Sequence, residues 1–149
     1  MQRFVGTFVN KLDSKGRVSV PAPFRTVLTQ QGGVLYLTRA IGNIALNGYG
    51  EAQFAEVDEQ LKAMNPLRSK DYAAYAMAAF GDVTGLTCDD DGGRVVIPPA
   101  LIEFAGLKDK VQFVGLNKIF EIWNPESFAP VARARWDRIN ALYGEGEGA

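Results

Sequence analysis

Hydrophobic and polar positions along the chain mark out short β elements first. Phe4 to Lys11 is rich in Phe, Val and Thr, and Gly16 to Val20 alternates, with Val18 and Val20 on one face and Ser19 on the other. These patterns predict two strands joined by a turn. Asp13 and Ser14 can bond the turn backbone through their side chains, and Gly16 can take a positive φ without a Cβ clash. Pro21 and Pro23 then stop the strand and open a short helix whose apolar positions Phe24, Val27 and Leu28 share one face, with Gly32 or Gly33 ending it. Val34 to Thr38 and Ile44 to Leu46 predict two more strands around a turn at Gly42 and Asn43. From about Glu51, Phe54, Val57, Leu61 and Met64 recur at helical spacing.

This order of elements occurs twice. Matching Arg17 to Arg94 sets an offset of 77 positions, which also pairs Asp13 with Asp90, Gly16 with Gly93, Val18 with Val95, Val20 with Ile97 and Pro21 with Pro98. The same offset pairs Val34 with Val111, Tyr36 with Phe113 and Leu37 with Val114, and slightly further on Phe54 pairs with Phe128. The chain is expected to comprise a first unit at 1–63, a helical connector at 64–80, a second unit at 81–143 and a disordered tail at 144–149. Asn65 and Pro66 suit the N-cap and first position of the connector helix, which would run to Gly81. In the last helix Ser127 is preferred as N-cap over Asn124, because a start at Pro125 would leave Pro130 inside the helix. Two units of this size are small for independent stability, so a shared core is expected.

Composition narrows the function. The chain has 149 residues, no histidine and one cysteine, Cys88, which removes the usual transition-metal ligands and His-based acid–base chemistry. The Gly-rich pieces match neither a dinucleotide fingerprint nor a Walker A loop. A non-enzymatic protein without cofactor, metal or small-molecule substrate is expected. No apolar run reaches the roughly 18 residues that span a bilayer, and the first residues lack a secretion signal, so a cytoplasmic location is expected. Cys88 reads as a small strand residue, and Trp123 and Trp136 as core or interface aromatics.

Charge is distributed unevenly. Arg3, Lys11, Lys15, Arg17 and Arg25 face one acid, Asp13, in the first 25 residues, a local net charge of +4 on a chain of net charge -1. Long basic side chains on a projecting hairpin can follow a phosphate backbone, and the major groove admits a two-stranded β-ribbon. A solvated surface, with Arg17 paired to Asp13 to fix the turn, is the plainer alternative. Asp13, Gly16 and Arg17 recur as Asp90, Gly93 and Arg94, which suits turn architecture. Lys11 and Lys15 instead become Cys88 and Gly92, so they are the better candidates for a role specific to the first half. Asp89, Asp90 and Asp91 make the second tip acidic. An EF-hand loop there would need Gly and Glu where Arg94 and Ala100 stand, so no metal site is expected, and a docking role against a neighbour's basic tip is an alternative.

Taken together, LDSKGRVSVP at 12–21, DDGGRVVIPP at 90–99, Met64–Asn65–Pro66, Ala105–Gly106–Leu107 and the FEIW run at 120–123 resemble the MraZ family of bacterial transcriptional regulators, built from two tandem AbrB-like units. The resemblance implies an α+β, mainly β fold in which two β-hairpin units with short helices pair about a pseudo-two-fold axis into one compact domain. It also implies a ring-shaped homo-oligomer, associated with the nucleoid, that binds double-stranded DNA at short direct repeats upstream of its own division and cell-wall operon, usually as a repressor. Arg17 and Arg94 match the family's DNA-contacting arginines. The expected DNA-binding residues are therefore Arg17 and Lys15 first, then Lys11, Arg3 and Arg94. A ring scaffold that binds a protein partner is the competing reading.

Overall fold

The computed structural model describes residues 2–88 and 92–148, with backbone only at 145–148. The fold is α+β and mainly β. Strands β1 (Thr7–Lys11), β2 (Arg17–Ser19), β3 (Val34–Arg39) and β4 (Leu46–Tyr49) belong to the first unit, and β5 (Thr84–Thr87), β6 (Arg94–Val96), β7 (Lys110–Gly115) and β8 (Phe120–Trp123) to the second. They form a six-stranded sheet ordered β1-β7-β8-β4-β3-β5 and a two-stranded ribbon of β2 with β6. That order reads the same from either end when each strand is exchanged for its repeat counterpart, so the two units are related by a pseudo-two-fold axis.

The two strands of each expected first hairpin do not pair with one another. β1 pairs with β7, Asn10 opposite Val111, while β5 pairs with β3, Thr87 opposite Val34. β2 pairs with β6, Val18 opposite Val95, and β4 pairs with β8, Asn47 opposite Glu121. Every one of these pairings is antiparallel, and each joins a strand of one unit to a strand of the other. A unit alone would leave its first two strands with unmade backbone hydrogen bonds, which burial makes costly.

Alternation along the central strands sends side chains to two layers. Leu35, Leu37, Val111, Phe113, Phe120 and Ile122 face a core shared with Val18, Val95, helix α1 (Ala22–Gln30) and helix α4 (Pro99–Ala105). Phe24 of α1 sits at its centre, edge-on to Phe4 and to Phe8 with ring centroids 5.4 Å apart in each pair. On the opposite face, helices α2 (Glu51–Leu61) and α5 (Pro125–Gly148) cover the sheet. Phe54 stacks on Tyr36 at 4.3 Å, and Phe128 and Val131 pack against Trp123 and Val114.

The sequence pattern misplaces three helical boundaries. Asn65 caps a single turn, its Oδ1 accepting from the Leu67 amide at 2.9 Å, and helix α3 (Tyr72–Ala76) begins only later, running into a π-helical turn at Met77–Gly81. Leu67 is 95% exposed, so that first turn has no apolar contact to propagate it as a helix. α5 starts at Pro125 rather than at Ser127, with Pro130 inside it. Asn124 is the cap because its Nδ2 is anchored to the Gly106 carbonyl at 2.8 Å, leaving Oδ1 to accept from the Glu126 amide at 3.0 Å. The stretch from Gly144, expected without structure, continues α5 to Gly148, since extending a helix needs no new nucleus.

Near the pseudo-axis, on the face covered by α2 and α5, Glu121 is buried and receives both Arg135 terminal nitrogens, at 2.7 and 2.9 Å, together with the Trp123 indole N–H at 3.0 Å. Burial pushes the Glu121 carboxyl up, but these donors outweigh it and hold the group below its usual 4.5. Removing the partner with Arg135→Ala leaves a buried carboxylate with one donor, and urea unfolding at neutral pH should show a loss of roughly 2 to 4 kcal/mol. Because the folded pKa is depressed, the native pair contributes above the unfolded value and fades as pH falls through the folded one. The gap between wild type and variant should therefore narrow as pH falls below 4.5.

Candidate nucleic-acid interface

The β2–β6 ribbon places Val18 and Val95 inward and its arginines outward, with the half-exposed Val96 beside them on the outer face. Val18 and Val95 face each other in the core, while Arg17 lies opposite Val96 and Arg94 opposite Ser19. Arg17 and Arg94 are thus related by the pseudo-axis and share the outer face of the ribbon.

The first turn is built by Asp13. Its Oδ1 accepts from the Lys15 and Arg17 amides at 2.9 and 2.8 Å, and its Oδ2 accepts from Arg17 Nε at 2.6 Å. The Arg17 amide, followed by its guanidinium, holds the Asp13 carboxyl below its usual 3.8. Gly16 closes the turn at φ 79°, and a Cβ there would stand 3.0 Å from the Ile97 carbonyl, whose own amide donates to Gly16 O at 2.8 Å. Only the Nε edge of Arg17 is engaged by Asp13, so its outer edge can face a phosphate or a guanine. The turn-building and DNA-contacting readings of Arg17 are compatible in this geometry.

On the second unit's side, Gly93 has φ 56°, and a Cβ would overlap Arg25, 1.7 Å from its Cδ. Arg25 lies across this glycine and donates from Nη1 to Val20 O at 2.9 Å and Gly92 O at 3.4 Å. Asp90, the turn counterpart of Asp13, and the whole acidic run 89–91 lie outside the described residues.

Lys11, Arg17, Arg25 and Arg94 line one open hollow of about 710 Å³ beside the ribbon, with Asp13 as its acid. Four bases less one acid leave a local charge of +3, and the acid is already paired. Lys15 stands exposed at the tip and lines the next hollow, with Ile102 and Lys108. Arg3 is exposed beside Phe4, which bridges to Asn117, and belongs to neither hollow. Concentrated positive charge around an outward ribbon is suited to a polyanion.

The comparisons with known proteins agree with this architecture. A family model described as "MraZ protein, putative antitoxin-like" matches residues 3–74 and 80–139. The chain belongs to the MraZ family. It is 42% identical over 137 residues to the transcriptional regulator MraZ of Azorhizobium caulinodans, covering 91% of this chain and 86% of that one. Against the protein of the same name from Xanthobacter autotrophicus, identity is 41% over 143 residues, covering 95% and 90%. The Rickettsia bellii relative is 35% identical over 131 residues, covering 86% and 85%. Two matched segments, one in each half of the chain, are consistent with tandem AbrB-like units.

Within this MraZ chain, Arg25 lines the candidate site although sequence reasoning counts it only in the basic segment and not among the expected DNA-binding residues. It sits on a helix face, apart from either hairpin, yet strand exchange brings α1 over the second turn. A signal was present: the offset pairs Arg25 with Ile102, whose Cδ1 would lie 3.2 Å from a Cβ on Gly16. The two positions occupy equivalent places, one carrying a cation and the other an apolar group. Asp13→Ala should unlock the first turn without unfolding the core, raising amide exchange at Lys15 and Arg17 at least tenfold by NMR while Val95 stays protected. In the wild type the same loosening should appear as pH falls below 3.8, because the lowered Asp13 pKa places its contribution above that range.

Proposed function

We propose that this protein is a sequence-specific DNA-binding transcriptional regulator that presents the β2–β6 ribbon and its basic hollow to double-stranded DNA. The observation that carries the reading is the ribbon itself, Val18 and Val95 inward and Arg17 and Arg94 outward, with Lys11 and Arg25 beside it. A ribbon of this kind fits the major groove, where arginine can read guanine, while Lys11, Lys15 and Arg25 supply phosphate contacts. Arg3 would contribute only from outside the hollow. The relatives named transcriptional regulator MraZ support the same role.

The charges do not follow the pseudo-symmetry. Lys11, Lys15 and Arg25 correspond to Cys88, Gly92 and Ile102, and only Arg17 has a basic counterpart. A protein with true two-fold symmetry reads palindromes, whereas this face has a direction along the duplex. It suits direct repeats, with several copies of the chain engaging successive repeats as a homo-oligomeric ring. Few phosphate contacts per subunit give weak binding at physiological salt, and a ring raises it through effective concentration. We assign repression of the protein's own division and cell-wall operon, in the cytoplasm at the nucleoid, as the biological role.

Fluorescence anisotropy on a labelled fragment from upstream of the protein's own gene tests this. Wild type should bind tightly and with a steep salt dependence, and scrambled DNA poorly. Lys15→Ala/Arg17→Ala should weaken binding at least tenfold and flatten the slope of log K against log salt by about 0.9 for each phosphate that the variant leaves unneutralised. Equal affinity of both proteins for both fragments would favour a ring scaffold whose partner is a protein.

A further inference from the structure

The outer face of the β2–β6 ribbon carries two cross-strand pairs, Arg17 opposite Val96 and Ser19 opposite Arg94. Three of these side chains are polar, as an outward face requires. Val96 is the exception: it is 52% exposed, whereas Val18 and Val95 of the same ribbon are buried. The offset of 77 makes Ser19 its counterpart, so an isopropyl group and a hydroxyl hold equivalent places. Strand geometry does not demand the valine, because serine serves at the same position of β2.

Val96 is also held in a defined place. A Cβ on Gly16 would stand 3.8 Å from Val96 Cγ1, and the following amide, of Ile97, donates to Gly16 O at 2.8 Å. The isopropyl group therefore rests beside the first turn, directly across the ribbon from Arg17. Asp13 engages Arg17 through Nε at 2.6 Å. Valine has no donor or acceptor in its side chain, so it does not compete for the outer edge of that guanidinium. Cross-strand partners lie roughly 4.5 to 5.5 Å apart, and bases follow one another at about 3.4 Å along a strand. With Arg17 on a guanine, Val96 faces a base one or two steps away.

In the major groove the apolar feature that distinguishes one base is the C5 methyl of thymine, which small apolar side chains contact. We propose that Val96 is a specificity-determining residue that reads this methyl on a thymine one or two steps from the guanine read by Arg17. The assignment rests on the DNA-binding reading and deepens it by naming a base. Ser19, beside Arg94, imposes no such requirement, because a hydroxyl suits donors and acceptors alike. The methyl is read at one end of the ribbon only, so the base contacts have a direction as well as the charges.

Anisotropy on the upstream fragment, made with deoxyuridine in place of every thymine, tests this. The exchange removes the methyl groups and keeps every hydrogen-bonding edge. Wild type should bind the deoxyuridine fragment more weakly, by about threefold to fivefold for each contacted methyl. Val96→Ser copies the residue at the equivalent place, and because the site is exposed its circular dichroism should match wild type. This variant should bind both fragments alike, at the wild-type affinity for deoxyuridine DNA. Lys15→Ala, which lacks a phosphate contact, should bind both fragments more weakly and keep the wild-type ratio between them. Wild type that prefers the upstream fragment to scrambled DNA yet binds its thymine and deoxyuridine forms alike overturns the assignment and leaves the DNA-binding reading standing. A Val96→Ser variant that keeps the wild-type ratio does the same, since the methyl would then act through the shape of the DNA. Wild type that binds the upstream fragment no better than scrambled DNA removes both.

Discussion

Each unit's first strand completes the other unit's sheet, and the structure depends on that exchange. β1 lies on β7 and β5 on β3, so the backbone groups of either first strand are satisfied only when both units are folded. At the centre of the exchange Val18 meets Val95, and their burial holds the ribbon against the sheet. Removing one unit would uncover the other unit's core as well as its strand edges. The shared core follows from two units each too small to bury enough apolar surface alone.

On this nearly symmetric frame the chemistry is unequal. Glycine at 16 and at 93 lets the opposite unit approach each turn, and what approaches differs: Ile102 over Gly16, Arg25 over Gly93. One approach is apolar, the other brings a guanidinium beside the ribbon. Lys11 and Lys15 extend the difference to the strand and the tip. The fold tolerates this because these positions lie at the rim, where a long side chain can keep its charge in water while its stem packs. The axis is preserved in the core by valine opposite valine, and broken on the surface.

A second asymmetry is in the helices. α2 stops at Leu61 and is followed by the connector, whereas α5 runs on past Arg135. The bidentate contact of Arg135 with Glu121 marks the last point at which α5 belongs to the sheet. Beyond it Trp136 is 68% exposed, while Trp123, similarly apolar in sequence, is 1% exposed in the core. Two tryptophans of like composition were indistinguishable in the chain because burial depends on where a helix leaves the body of the protein.

The order of strands and helices, the two repeats, the turn chemistry of Asp13 and Gly16, and the basic bias of the first half are determined by local spacing and composition, and were legible in the sequence. Boundaries set by residues distant along the chain were not. Asn124 caps α5 because Gly106 holds its amide, and the connector's first turn fails to extend because Leu67 has nothing to pack on. Only the tertiary structure decided which strands pair, and with that the place of Arg25, on a helix of one unit and over the turn of the other. The physical reason is that period and propensity report which face of an element is apolar, whereas the identity of its partner depends on which of several similar strands completes the sheet.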